Sequence, residues 1–259
     1  GFHKDRYVLW GPPIGGNDIN ETINLSFDGV EKLNKQAGIN ANPTAIYIPE
    51  YLKDQYETIA KKNKYTFDFW RQDYIYNTHD LVDLNGSRFD SKRHKVNFFT
   101  KNYEYDIEEF DFNTHADDCL KLIDIWKEQK QNVAPDSWKY ELEAEKEAAR
   151  KLITFSRELG ARGIVLNVEG KVSGISLGES LTDEMCSNII EKTKPALNGA
   201  SEFIFREFAK YWSSHKFLNA QDDFGVDYLK NMKLSYHPVK LLKSYILERK
   251  NSKQFSKLH

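Results

Sequence analysis

Apolar positions recur along the chain with two alternating periods, and the alternation predicts strands interleaved with helices. Tyr7-Val8-Leu9-Trp10 is a short apolar run, stopped by Gly11-Pro12-Pro13 and Gly15-Gly16. A helix is predicted over about 20–38, ended by Gly38. Thr44–Ile48 reads as a strand blocked by Pro49, and 51–62 as a charged helix with Leu52, Tyr56 and Ile59 on one side. The aromatic-rich stretch 64–84 reads as extended. Asn85-Gly86-Ser87 is a turn that leads into a basic helix at 88–103, followed by a strand at 104–112. Thr114 is the expected cap of a helix whose stripe is Cys119, Leu122, Ile123 and Trp126. Pro135 breaks the pattern, and a long helix is predicted over 138–159, with Trp138, Leu142, Ala149, Leu152 and Leu159 near one face.

The remainder predicts a hairpin from Gly163 to Leu181 turning at Glu169-Gly170, then a strand at 185–192. A loop at 195–199, a helix at 200–212, a strand at 216–220 and a helix at 225–233 follow. Residues 239–249 are a strand or a helix, and the polar tail from 250 is expected to fray.

Composition narrows the class. The 259 residues carry 37 Lys+Arg against 39 Asp+Glu, with 16 Phe, 14 Tyr and 5 Trp. So many aromatics at a net charge of -2 exclude an intrinsically disordered chain and a globally basic nucleic-acid coat. No apolar run approaches a membrane span. Two distant cysteines, Cys119 and Cys186, give neither a disulfide framework nor a paired-cysteine zinc site, which suggests a reducing cytoplasm. The seven His are scattered, so no structural metal is expected. The chain opens Gly1-Phe2-His3 without Met, and this reads as a cut or processed end with native sequence missing before it.

Two long motifs stand out. Tyr74-Ile75-Tyr76 precedes the run Arg88 to Phe99, which ends in Lys101-Asn102-Tyr103; later come Asp222-Asp223-Phe224-Gly225 and Lys233 to Pro238. These resemble the family related to the C-terminal domain of phosphatidylglycerol lysyltransferase, over nearly the whole chain. The resemblance implies two fused acyltransferase domains of the GNAT type. It also implies transfer of an amino acid from aminoacyl-tRNA to a lipid head group, while other GNAT domains use acyl-coenzyme A. The strand and helix order from 163 onward independently suits a GNAT core.

In such cores the donor phosphates sit at a helix N-terminus. Asn198-Gly199-Ala200-Ser201 is the candidate, with Lys192 and Lys194 just upstream; its single Gly equally fits a plain turn and helix cap. The basic helix is the second candidate. Arg88, Lys92, Arg93, Lys95 and Lys101 face only Asp90, a local excess of +4. At about 100° per residue, Arg88, Lys92 and Lys95 share an arc that overlaps the apolar stripe of Phe89, Val96, Phe99 and Tyr103. The arc is either a wall for tRNA or lipid phosphates or a solvated edge paired with carboxylates. Asp222, Asp223, Lys233, Tyr236 and His237 form a third group. Asp223 is the expected base or amine orienter, Tyr236 the acid or hydrogen-bond donor, and Lys233 a further anion contact. The plain alternative has the two Asp capping the next helix and Tyr236 in the core.

Gly174-Ile175-Ser176-Leu177-Gly178 matches the hydrolase elbow G-x-S-x-G, and Asp222 and His237 follow in order. The elbow requires a strand-to-helix turn, and here it lies inside an alternating strand, so Ser176 reads as an ordinary strand residue. Gly174 and Gly178 then mark a bulge or close backbone approach.

The expected protein is therefore α+β, two fused GNAT-like domains at 1–112 and 113–259. It would transfer an aminoacyl group from aminoacyl-tRNA, or an acyl group from acyl-CoA, to an amine or hydroxyl acceptor. An anionic lipid or a small molecule would accept, with no DNA partner and no tightly bound cofactor. The alternative is a non-catalytic binding module with degenerate donor sites.

Overall fold

A computed structural model of the chain describes residues 1–131 and 139–250, with side chains of 139–141 undescribed. In chain order the elements are β1 (Phe2–His3), β2 (Arg6–Tyr7), β3 (Leu9–Trp10), α1 (Ile19–Gln36), β4 (Thr44–Pro49), α2 (Lys53–Asn63) and β5 (Thr66–Asn77). There follow α3 (Thr78–Asp83), α4 (Asp90–Asn102), β6 (Tyr105–Glu109), α5 (Phe112–Gln131) and α6 (Lys139–Thr154). Then come β7 (Arg162–Val168), β8 (Lys171–Thr182), β9 (Met185–Thr193), α7 (Ala200–Tyr211), β10 (Phe217–Asn219), α8 (Asp227–Leu234) and β11 (Lys240–Glu248). The class is α+β as expected, and the order from β7 to β11 is that expected of a GNAT core. The expected breaker at Pro135, Trp138 and the tail beyond 250 lie outside the described residues.

Local chemistry explains the places where the sequence reading slipped. The stretch 64–84 is not extended throughout. The Asn77 side chain accepts the Asp80 N–H at 3.3 Å and starts the six-residue helix α3, which Leu84 ends in the left-handed region. Such a helix is too short to show a period. Thr114 does not cap α5. Asp111 does, accepting both the backbone N–H and the hydroxyl of Thr114 at 3.1 Å. Helix α6 ends at Thr154 and turns carry the chain to Gly160, so Leu159 stands exposed.

The chain forms two compact units. Among the described residues, one comprises 1–73, 222–230 and 241–250; the other 74–131, 139–221 and 231–240. The chain leaves the first unit along β5 and later returns to it. In the first unit the strand order is β3-β4-β11-β5, with β3 and β4 parallel and β4 and β11 antiparallel. Ile23 and Phe27 of α1 and Tyr56 and Ile59 of α2 bury against Ala45, Ile48 and Leu247.

In the second unit the order is β5-β10-β9-β8-β7-β6. Neighbours are antiparallel except β9 and β10, which are parallel. One face buries Cys119, Leu122 and Ile123 of α5 and Ala149 and Ile153 of α6 against Val165, Ile175 and Leu177. The other receives α7, whose Ile204 and Phe208 fill the space above Gly174 and Gly178. Gly178 is a close approach, as expected. A Cβ there would sit 1.8 Å from the Ser187 carbonyl, where the β8–β9 register shifts. Helix α7 also packs on α3 and α4, with Phe99 and Phe203 stacked at 4.7 Å. Each such buried ring contributes roughly 2 kcal/mol.

Candidate active site

Strands β9 and β10 pair for three residues only, Met185 with Phe217, Cys186 with Leu218 and Ser187 with Asn219. Beyond that point β10 stops and the chain turns at Gln221, whose φ is +57°, while β9 runs on to Thr193. On its β10 side, the far half of β9 therefore has no ladder partner among the described residues, and a gap opens between two parallel strands. Lys233 secures its lower edge, because its ammonium donates to the carbonyls of Ala220 (2.5 Å) and Gln221 (3.2 Å). That use makes Lys233 a latch on the turn.

Glu191 lies along this open half of β9. Its Oε1 accepts the Ser201 hydroxyl at 2.9 Å, from the first turn of α7. Burial pushes its carboxyl up to about 7; the Ser201 hydrogen bond, Lys192 and Lys233 pull the other way, and Glu202 adds to the rise. Glu202, also in the first turn of α7, holds the Lys95 ammonium at 2.8 Å. Lys92, one turn earlier on α4, is 7% exposed, and its ammonium lies 4.0 Å over the ring of Tyr236. No carboxylate pairs with Lys92 among the described residues. Burial lowers its pKa; Glu202 opposes that and Lys95 adds to it. Tyr236 is itself buried, edge-on to Phe205 (5.0 Å) and Tyr76 (6.2 Å). Desolvation first, then Glu202 and Glu191, hold its hydroxyl far above the usual phenol range, so it stays protonated and can donate a hydrogen bond.

The sequence-derived candidates divide accordingly. Lys92, Lys95, Ser201 and Tyr236 come together in this cluster. Arg88 and Arg93 have other partners. Arg88 precedes α4, pairs with Asp80 at 3.0 Å and covers the Phe89 ring, while Arg93 donates to the Leu84 and Gly86 carbonyls and pairs with Asp90. The three-cation arc is therefore not a continuous wall. Lys192 rests on the Trp126 ring beside Glu145 on the opposite face of the sheet, and Lys194 donates to Ser173 at 3.1 Å.

At the start of α7, Asn198 is exposed, and Gly199 backs onto α4, where a Cβ would lie 2.3 Å from the Lys95 carbonyl. The Ala200 N–H is taken by the Leu197 carbonyl. Two carboxylates, Glu191 and Glu202, stand beside this helix end. Asp223 belongs to the first unit, where its Oδ1 accepts the Gly225 N–H at 2.8 Å, and Asp222 does the same for Phe224 at 2.9 Å. Ser176 is buried inside β8, accepting from Asn188 at 3.0 Å, so no nucleophile elbow forms.

Sequence reasoning missed Glu191 and Glu202. Glu191 had a signal: it is the only acid in the otherwise apolar or small run 185–191. Glu202 looked like an ordinary acid in a first helical turn.

A model of the phosphatidylglycerol lysyltransferase C-terminal domain matches residues 3–248. The chain belongs to that family. A protein of Mycoplasmoides gallisepticum without known function is 24% identical over 95% of this chain and 78% of its own. Among solved structures, a conserved protein of unknown function from Bacteroides thetaiotaomicron superposes with a TM-score of 0.76 at 24% identity, covering 93% of this chain and 78% of the other. The L-PGS of Bacillus licheniformis gives 0.60 at 16% identity, over 96% and 79%. The family is one of aminoacyl- and acyl-transferases. No helix among the described residues is long and apolar enough to cross a membrane, and no cluster of three His, Cys, Asp or Glu there could hold a metal.

Proposed function

We propose that the protein transfers an aminoacyl group from the ester of an aminoacyl-tRNA to an amine or hydroxyl acceptor, with its chemistry at the β9–β10 gap. The observation that carries this reading is Glu191, a carboxyl held near 7 beside the open backbone of β9. A base poised there takes a proton at neutral pH without being fully protonated itself. The acceptor N–H or O–H attacks the ester carbonyl, its proton passes to Glu191, and the carbon–oxygen bond to the donor ribose breaks. The proton taken up by Glu191 passes to that leaving oxygen, and the Tyr236 hydroxyl donates a hydrogen bond to it. Lys92 offers an uncompensated positive charge to the tetrahedral oxyanion or a donor phosphate.

The helix end at Gly199 supports an aminoacyl ester over acyl-coenzyme A. Its glycine serves helix packing, one of its N–H groups is taken, and two carboxylates flank it. Asp223 remains an acceptor-orienting candidate within the first unit. The anionic-lipid acceptor and the division into two copies at 1–112 and 113–259 belong to this same proposal.

Labelled aminoacyl-tRNA, incubated with a panel of amines and with anionic lipid vesicles, tests it. Transfer of label that Glu191→Gln lowers by about 10²–10⁴-fold supports the reading. Equal transfer by the variant, or a thermal shift with acyl-coenzyme A and none with aminoacyl-tRNA analogues, overturns it.

A further inference from the structure

Helix α7 opens without a side-chain cap, because Gly199 stands at the capping position. Ser201, the second residue of the helix, is of a type whose hydroxyl ordinarily turns back to its own backbone. It is also exposed, so water is at hand for it. It does neither. The hydroxyl crosses to the sheet and donates to Glu191 Oε1 at 2.9 Å. A hydroxyl has one proton to donate. Given to a carboxylate, that proton is not available at the same time to a donor phosphate.

The bond divides the two oxygens of Glu191. Oε1 is held by Ser201, while Oε2 has no hydrogen-bond donor among the described residues. A base needs a lone pair free for the incoming proton, and a carboxyl that does not swing away from it. Holding one oxygen fixes the carboxyl and leaves the other oxygen open. The hydrogen bond also favours the charged form, since a donor stabilises a carboxylate more than the neutral acid. Charges around Glu191 act on the same equilibrium. Glu202 of α7 disfavours the ion, while Lys192 of β9 and Lys233 of α8 favour it. On α4, Lys95 is engaged by Glu202 and Lys92 lies over Tyr236, whose hydroxyl stays neutral. Among the described residues only Ser201 donates a hydrogen bond to the Glu191 carboxyl.

We infer that Ser201 is the positioning residue of the transfer base, its hydroxyl fixing both the orientation and the protonation state of the Glu191 carboxyl. This role rests on the reading of Glu191 as the base, and it requires no contact between Ser201 and substrate. A Ser201 that only tied α7 to β9 would leave the titration of Glu191 alone. The two roles therefore part in how the carboxyl titrates.

Carbon-13 NMR of the full chain, labelled at the glutamate carboxyls, follows Glu191 directly; its signal is the one missing from Glu191→Gln. Ser201→Ala is expected to raise the titration midpoint by about one pH unit, the scale of one hydrogen bond to a charged group. Its circular dichroism should match the wild type. Ser201→Thr keeps the hydroxyl and should hold the midpoint near that of the wild type. The rising limb of transfer from labelled aminoacyl-tRNA should move with the carboxyl. With a wild-type midpoint of about 7, Ser201→Ala then loses about fivefold in transfer near pH 7 and little above about pH 9. An unmoved midpoint in Ser201→Ala, or equal shifts in the Ala and Thr variants, overturns the role of the hydroxyl. A midpoint that moves while the transfer limb stays put overturns Glu191 as the base. That failure is told apart from the first because the carboxyl still answers to Ser201.

Discussion

The ammonium of Lys92 sits 4.0 Å above the ring of Tyr236, and both residues are buried. The pair joins a helix at the head of the second unit to a segment more than a hundred residues later. The ring face offers a weak attraction, about 0.5–2 kcal/mol. Removing an ammonium from water without a carboxylate partner costs more than that. The fold therefore keeps an uncompensated charge at the site, which stability alone does not explain.

Replacing Lys92 with Met is expected to leave the melting temperature unchanged or to raise it, since a buried unpaired cation gives way to an apolar chain of similar length. Binding of labelled tRNA should weaken and its salt slope should shrink. Calorimetry and a salt titration check both. A fall of many degrees in melting temperature would show that the charge supports the fold instead.

Glu191 sets a pH dependence. Transfer should rise as the carboxyl ionises through about pH 7, and Glu191→Gln should flatten that limb. Stability moves oppositely. The folded pKa is raised, so the native state binds the extra proton. Stability is full below the ordinary carboxylate range and is lost as pH rises through about 7. The melting temperature of the wild type, relative to Glu191→Gln, should decline across that window; parallel curves would contradict the assignment.

Tyr236→Phe keeps the ring beneath Lys92 and removes only the hydroxyl. Melting temperature should change by no more than a few degrees, while transfer falls roughly 10²-fold through loss of the hydrogen bond to the leaving oxygen. Tyr236→Leu should cost both stability and transfer. If the Phe variant transfers at the wild-type rate, the leaving oxygen needs no hydrogen bond from Tyr236.

Gly199→Ala tests the contact between α7 and α4. The backbone there has φ of +83°, and the new methyl would meet the Lys95 carbonyl at 2.3 Å. A loss of roughly 2–4 kcal/mol is expected, read from urea unfolding. An unchanged midpoint would mean that α4 moves freely against α7.

The sequence by itself determined the elements and their class. Periodicity, Gly38 and the Glu169-Gly170 turn are local signals, and so are the aromatic content and the two long motifs that carry the family resemblance. Local signals also misled where two residues compete for one role, as Asp111 and Thr114 do at the start of α5. Only the tertiary structure decided which candidates form a site. Arg88, Lys92, Arg93 and Lys95 are indistinguishable as a basic run, yet their partners Asp80, Tyr236, Asp90 and Glu202 sort them into surface pairs and one bare buried charge. Glu191 became a candidate base only through burial beside Ser201 and α7, and burial is a sum over distant atoms. The compact units likewise depend on where the chain returns, which no local pattern records. Chemistry at a position is written in its residue type; its charge state and its neighbours are set by the packing of segments far apart in the chain.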